Sequence, residues 1–160
     1  MAMLGKEVRM SRLVNKKSNK MMAITVDHAI SRGIAPMTGL HSIQDTIDKI
    51  ILGRPDAMTM TKGIAEHCMW QHAGKVSILL KASNYSPVAP TRDTIFGSVD
   101  EAIRMGADAI SMGAMTLGDF QGEQFEAIGK FSEECMAKGM PLIGHVYPKG
   151  ESVPVDKRAA

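Results

Sequence analysis

Five short apolar runs punctuate the chain: MMAITV over 21–26, AMTM over 57–60, VSILL over 76–80, AISM over 109–112 and PLIGHVY over 141–147. Each is mostly continuous and several are rich in branched residues, the pattern of strands buried on both faces of a parallel sheet. Amphipathic segments fill the intervals. Ser42 with Asp45 predicts a capping box ahead of an apolar stripe of Ile43, Ile47, Ile50 and Ile51. Ser98 with Glu101 predicts a second, followed by Val99, Ala102 and Ile103, with Gly106 as the stop. A weaker helix is expected from about Ile64 to His72. The last, carrying Phe125, Ile128, Ser132, Cys135 and Met136 on one side, is expected to end at Gly139 and Pro141.

The segments DAMTM at 56–60 and DAISM at 108–112 are alike, and each follows a helix end and opens a strand. Strand, helix, strand units require parallel strands with right-handed crossovers. The choice then lies between an open sheet and a barrel. No G-x-G-x-x-G follows the first strand, which weakens a dinucleotide-binding reading. Polar residues gather instead where the strands end: Asp27 and His28, Thr61 and Lys62, Lys81 and Ser83, Tyr147 and Lys149. A (β/α) barrel builds its active site at that end of its strands. Five strands and four linking helices fall short of an eightfold barrel, which takes about 250 residues. The fold class expected is therefore α/β, an incomplete TIM (β/α) barrel, as one domain over 1–160.

Composition narrows the function. With 44% hydrophobic and 22% charged residues the chain is globular, and a net charge of +2 gives the whole molecule no reason to bind nucleic acid or a membrane. Charge is concentrated at the start, where Lys6, Arg9, Arg12, Lys16, Lys17 and Lys20 stand against Glu7 alone. Such a stretch could bind phosphate or serve as a leader; the favoured reading is a solvated amphipathic helix with Val8, Leu13 and Val14 toward its buried side. No aromatic residue interleaves these charges to stack on bases. Cys68 and Cys135 form no paired motif and fit two free thiols in a reducing cytoplasm. No run is long and apolar enough to span a membrane. Fourteen methionines speak of adaptable packing and not of a ligand.

Several residues could carry chemistry. Asp27 could hold a proton or orient a hydroxyl with His28 beside it, or the two could merely satisfy loop amides and fill a core. Lys62 and Lys81 sit at or near strand ends among apolar neighbours, where an amine can lose its proton and attack a carbonyl; equally, either could snorkel to water or neutralise a phosphate. Tyr147 could be a general acid and Lys149 a phosphate ligand, or the ring could cap the barrel with its hydroxyl in water. His67 and His72 are five residues apart, about 140° around a helix, so no metal site is expected with Cys68.

With these residues placed, the sequence resembles the class I, Schiff-base aldolases of the archaeal-type fructose-bisphosphate aldolase family, DeoC/LacD-like aldolases that include aminodideoxyheptulosonate synthases. The resemblance rests on GKEVRMSRLVNKKSNK, ITVDHAISRG, MTKGI, LLKAS, GADAIS and MPLIGHVYPKG, in order along nearly the whole chain. It implies a TIM barrel in which a lysine imine makes or breaks a C–C bond of a phosphorylated sugar, without a cofactor or metal. It puts Asp27 in proton traffic and Tyr147 as proton donor and acceptor. His28, Lys62, Lys81, Ser83 and Lys149 are expected to contact substrate. It makes residues 1–20 a helical arm under the barrel and places the imine lysine on a sixth strand, beyond Ala160. Strand five would then be an exposed edge, so association into a homo-oligomer is expected. A transaldol-type aminodideoxyheptulosonate synthase and an inactive fragment are the alternatives.

Overall fold

The computed structural model describes residues 3–32 and 39–157. Helix α1 (Leu4–Leu13) and a turn closed by pairing of Asn15 with Lys20 lead into strand β1 (Ala23–Thr25). Then follow α2 (Ala29–Arg32), α3 (Ile43–Leu52), β2 (Ala57–Met60), α4 (Lys62–Cys68) and β3 (Ser77–Lys81). A hairpin of β4 (Ser83–Ser86) and β5 (Ala89–Ile95) precedes α5 (Val99–Arg104), β6 (Ala109–Thr116), α6 (Gln121–Ala137) and β7 (Leu142–Pro148). Five strands pair in parallel in the order β1-β2-β3-β6-β7, curling into an incomplete (β/α) barrel.

The five runs read from the pattern are the five barrel strands. β6 continues four residues past the expected AISM because GAMT pairs with β7 as far as Thr116 with Pro148. The antiparallel β4–β5 hairpin was not expected, and it corrects the count of strands from five to seven. Helix α4 ends at Cys68, and Trp70–His72 form a separate 3₁₀ turn. The Ser98–Glu101 capping box forms: the Glu101 amide donates to Ser98 Oγ at 3.2 Å, and the Ser98 amide to Glu101 Oε2 at 3.0 Å. At Ser42 the expected box does not form: its side chain makes no cap hydrogen bond, and the Thr46 hydroxyl bonds to the Ser42 carbonyl at 3.0 Å. Gly106 and Gly139 terminate their helices at φ +70° and +61°, conformations that cost glycine little. Gly33 and residues 158–160 lie outside the described residues.

Alternation along the strands separates two apolar layers. Met58, Met60, Leu80, Ile110 and Met112 pack outward against helical residues such as Ile47, Ala102 and Cys135. Ala57, Leu79 and Ala109 point to the barrel interior, where Leu13 of α1 packs on them, 2% exposed. Arg12 holds α1 there by an ion pair to Asp108, at 3.1 Å, while Arg9 donates to the carbonyl of Gly139. Val14 is half-buried, whereas Val8, expected on the buried side, is exposed. The two related segments act alike: Asp108 takes Arg12, and Asp56 accepts the Met22 amide at 2.8 Å.

Candidate active site

The alternation that sends Leu79 into the interior sends Lys81 there one step further along. By the same rule His145 and Tyr147 follow Ile143 on the inner face of β7. Beyond the apolar layer these side chains meet Asp27, at the end of β1, around a cavity of about 160 Å³. Four residues expected from the sequence therefore line one pocket: Asp27, His28, Lys81 and Tyr147.

The hairpin closes one side of it. Asn84 Nδ2 donates to the Asp27 carbonyl at 3.3 Å, and Gln124 Nε2 of α6 donates to the Thr91 carbonyl at 3.0 Å. So anchored, β5 alternates Thr91 and Asp93 inward with Arg92 and Thr94 outward. The Asp93 carboxyl rests on Gly113 of β6, where a Cβ would stand 2.5 Å from Oδ2. Fully buried Ser83 donates its hydroxyl to Asp93 Oδ2 and accepts the Gly113 amide at 2.8 Å. Ser83 is thus placed behind the pocket wall and not in its lining. Lys149 stands at the rim, its Nζ 4.1 Å from the centre of the Tyr85 ring. Lys62 is not brought to the pocket: at the start of α4 its Nζ pairs with Glu101 at 2.9 Å.

Burial dominates the electrostatics. Lys81, only 5% exposed, has its amine pulled below the usual lysine range by burial, against the opposing charges of Asp93 and Asp27. Asp93 is raised by burial despite the Ser83 bond. Tyr147 is raised by burial and then by Asp27, so it stays a protonated phenol at neutral pH. His145 is lowered by burial and by the charge of Lys81. At Tyr85 burial acts upward, but Lys149, Ser31 and Arg32 outweigh it and leave the phenol lowered. His28 Nδ1 lies 3.7 Å from Asp27 Oδ1, without a hydrogen bond. The pocket can thus offer a phenolic proton, two carboxyls and a desolvated amine around one small ligand group.

Asp93, Tyr85, Asn84 and His145 were not anticipated. His145 had a signal, since it stands two residues before Tyr147 and shares its face. The hairpin residues had none without the strand register. Elsewhere, His72 Nε2 meets Asp48 at 2.6 Å, and no three His, Cys, Asp or Glu side chains among the described residues are grouped to hold a metal. Cys68 and Cys135 are buried and unpaired, and burial pushes the Cys135 thiol up to about 11. No described helix is long and apolar enough to cross a membrane.

The family model of DeoC/LacD family aldolases matches residues 21–160. The 2-amino-3,7-dideoxy-D-threo-hept-6-ulosonate synthase 1 of Archaeoglobus fulgidus is 30% identical over 150 residues, covering 92% of this chain and 55% of that protein. The 2-amino-4,5-dihydroxy-6-oxo-7-(phosphonooxy)heptanoate synthase of Streptomyces griseus is 24% identical, covering 95% of this chain and 56% of that protein. Among solved structures, a Schiff base forming fructose-1,6-bisphosphate aldolase superposes with a TM-score of 0.81 at 21% identity, over 94% of this chain and 60% of that one. The chain spans about half the length of the curated relatives it matches.

Proposed function

The chain belongs to the DeoC/LacD family aldolases, and from that membership we propose that its pocket takes the carbonyl end of a phosphorylated sugar or triose phosphate in class I aldolase chemistry. The observation that carries this reading is the meeting of Asp27 and Tyr147, from the two outer strands of the sheet, in one cavity with buried Lys81. In imine chemistry a lysine amine adds to the ketone, water leaves, and the protonated imine draws the electrons of the neighbouring C–C bond into an enamine. Cleavage removes a proton from a hydroxyl and returns one to carbon; condensation reverses both steps. Tyr147, held as a phenol, supplies and recovers that proton, and Asp27 assists from the facing strand.

His28 is a donor to a substrate hydroxyl, Lys81 a fixed cation beside the reacting carbons, and Lys149 a phosphate ligand at the rim. Ser83 acts through Asp93, and Lys62, occupied by Glu101, takes no part. The imine falls to neither Lys62 nor Lys81 and is expected on a lysine beyond Ala160. The N-terminal arm serves as a floor for the barrel, through Leu13. Unpaired buried thiols support a cytoplasmic location. Association into a homo-oligomer belongs to the same reading. Transaldol transfer of the aminodideoxyheptulosonate type is the second reading, favoured by the 30% identity to such a synthase.

Intact-mass spectrometry after borohydride reduction with dihydroxyacetone phosphate tests this. One reduced adduct per chain is expected on a form extended beyond Ala160, and none on residues 1–160. A full adduct on the short chain at Lys81 would transfer the imine to that residue; no adduct on either form would remove the aldolase reading.

A further inference from the structure

Of the three buried polar atoms of the pocket bonded to nothing in the protein, His28 Nδ1 faces Asp27, and the other two are Asp93 Oδ1 and His145 Nε2. They belong together. The Asp93 carboxyl is packed on Gly113, and His145 stands directly opposite Gly113 in the pairing of β6 with β7. Both side chains line the cavity that holds Asp27, Lys81 and Tyr147. An unsatisfied buried acceptor beside an unsatisfied ring nitrogen is costly unless a ligand completes both.

The surroundings select the ligand group. An anionic group would meet the carboxylates of Asp93 and Asp27, and an ammonium would meet Lys81. A hydroxyl fits, because it can donate to Asp93 Oδ1 while accepting from the imidazole. We propose that Asp93, delivered by the β4–β5 hairpin, is a specificity-determining residue that accepts a hydrogen bond from a ligand hydroxyl adjoining the carbonyl carbon. This rests on the phosphosugar reading and deepens it: the pocket takes hydroxyketones in preference to their deoxy counterparts. Ser83 and Gly113 are positioning residues. Ser83 occupies Oδ2 and so turns Oδ1 to the ligand, and Gly113 leaves the space the carboxyl fills.

The test compares binding of dihydroxyacetone phosphate and hydroxyacetone phosphate, which lacks the free hydroxyl, to the 160-residue chain by NMR titration. The unchanged chain is expected to favour the hydroxylated ligand by about tenfold or more, the scale of a hydrogen bond to a charged group. Asp93→Asn keeps the volume and, with its amide oxygen toward Ser83, the internal bond, but turns a donor to the pocket. Its preference is expected to vanish while its amide spectrum outside the site is retained. Asp93→Ser is expected to lose the preference as well, which guards against an effect peculiar to the amide. Retention of the preference in both variants overturns the inference and leaves the phosphosugar reading standing. Failure of the unchanged chain to bind either ligand overturns that reading itself.

Discussion

The two ends of the parallel sheet use similar side chains to opposite effect. At the amino end Asp56, Asp108, Arg9 and Arg12 all have protein partners, and the interior between the strands is filled by Leu13. At the carboxyl end Lys81 and Asp93 are withdrawn from water, and His28, Asp93 and His145 each keep a buried polar atom without a partner. Desolvated polar groups left open weaken a fold, so three of them around one cavity mark where stability has been exchanged for ligand contacts, whereas at the other end, among the described residues, His72 Nδ1 stands alone. Position alone does not make a site. Lys62 also follows a strand at the carboxyl end, yet it is matched by Glu101, which the α5 capping box holds in place.

Tyr147→Phe tests the carboxyl end most severely. In a form that cleaves fructose 1,6-bisphosphate, loss of the phenolic proton is expected to lower kcat by about 10²–10⁴-fold with the urea midpoint nearly unchanged. An equal loss of stability with intact kcat would make the tyrosine a packing residue. Leu13→Ala is the converse at the amino end. Emptying a site that is 2% exposed is expected to cost about 2–5 kcal/mol in urea denaturation, while the affinity of the folded protein for dihydroxyacetone phosphate stays the same. If affinity falls with stability, the two ends are not separable.

Lys62→Met probes the paired lysine. Its side chain is 42% exposed, so solvent screening limits the loss to under about 1 kcal/mol, and ligand affinity should not move. A tenfold weaker affinity for dihydroxyacetone phosphate would return Lys62 to the site.

What the sequence disclosed follows from the same contrast. The barrel strands were legible because residues such as Met58, Met60, Leu80 and Ile110 are buried, and burial writes itself as apolar runs. Asp27 and Tyr147 were legible because they break those runs at strand ends. The β4–β5 hairpin left no such mark. Its residues are polar, two prolines punctuate it, and only every second side chain of β5 turns inward, so Asp93 resembles any loop carboxylate until Tyr85 is known to pair with it. Lys62 misled for a related reason: a lysine after a strand looks the same whether it faces a ligand or a Glu101 that lies 39 residues on.

The smallest expected effect is a change of slope with pH. Burial and Lys81 hold the His145 imidazole below its usual value of 6.5, so the folded state takes up a proton less readily than the unfolded chain. A depressed folded value contributes stability that is complete above the unfolded value and is lost as pH falls through the folded one. Unfolding free energies measured by urea from neutral pH downward should therefore decline more steeply below pH 6.5 for the unchanged chain than for His145→Gln, which cannot titrate. Parallel curves would mean that the ring titrates freely in the fold. The carboxyl end would then have one fewer desolvated group, and its contrast with the amino end would rest on Lys81, Asp93 and His28.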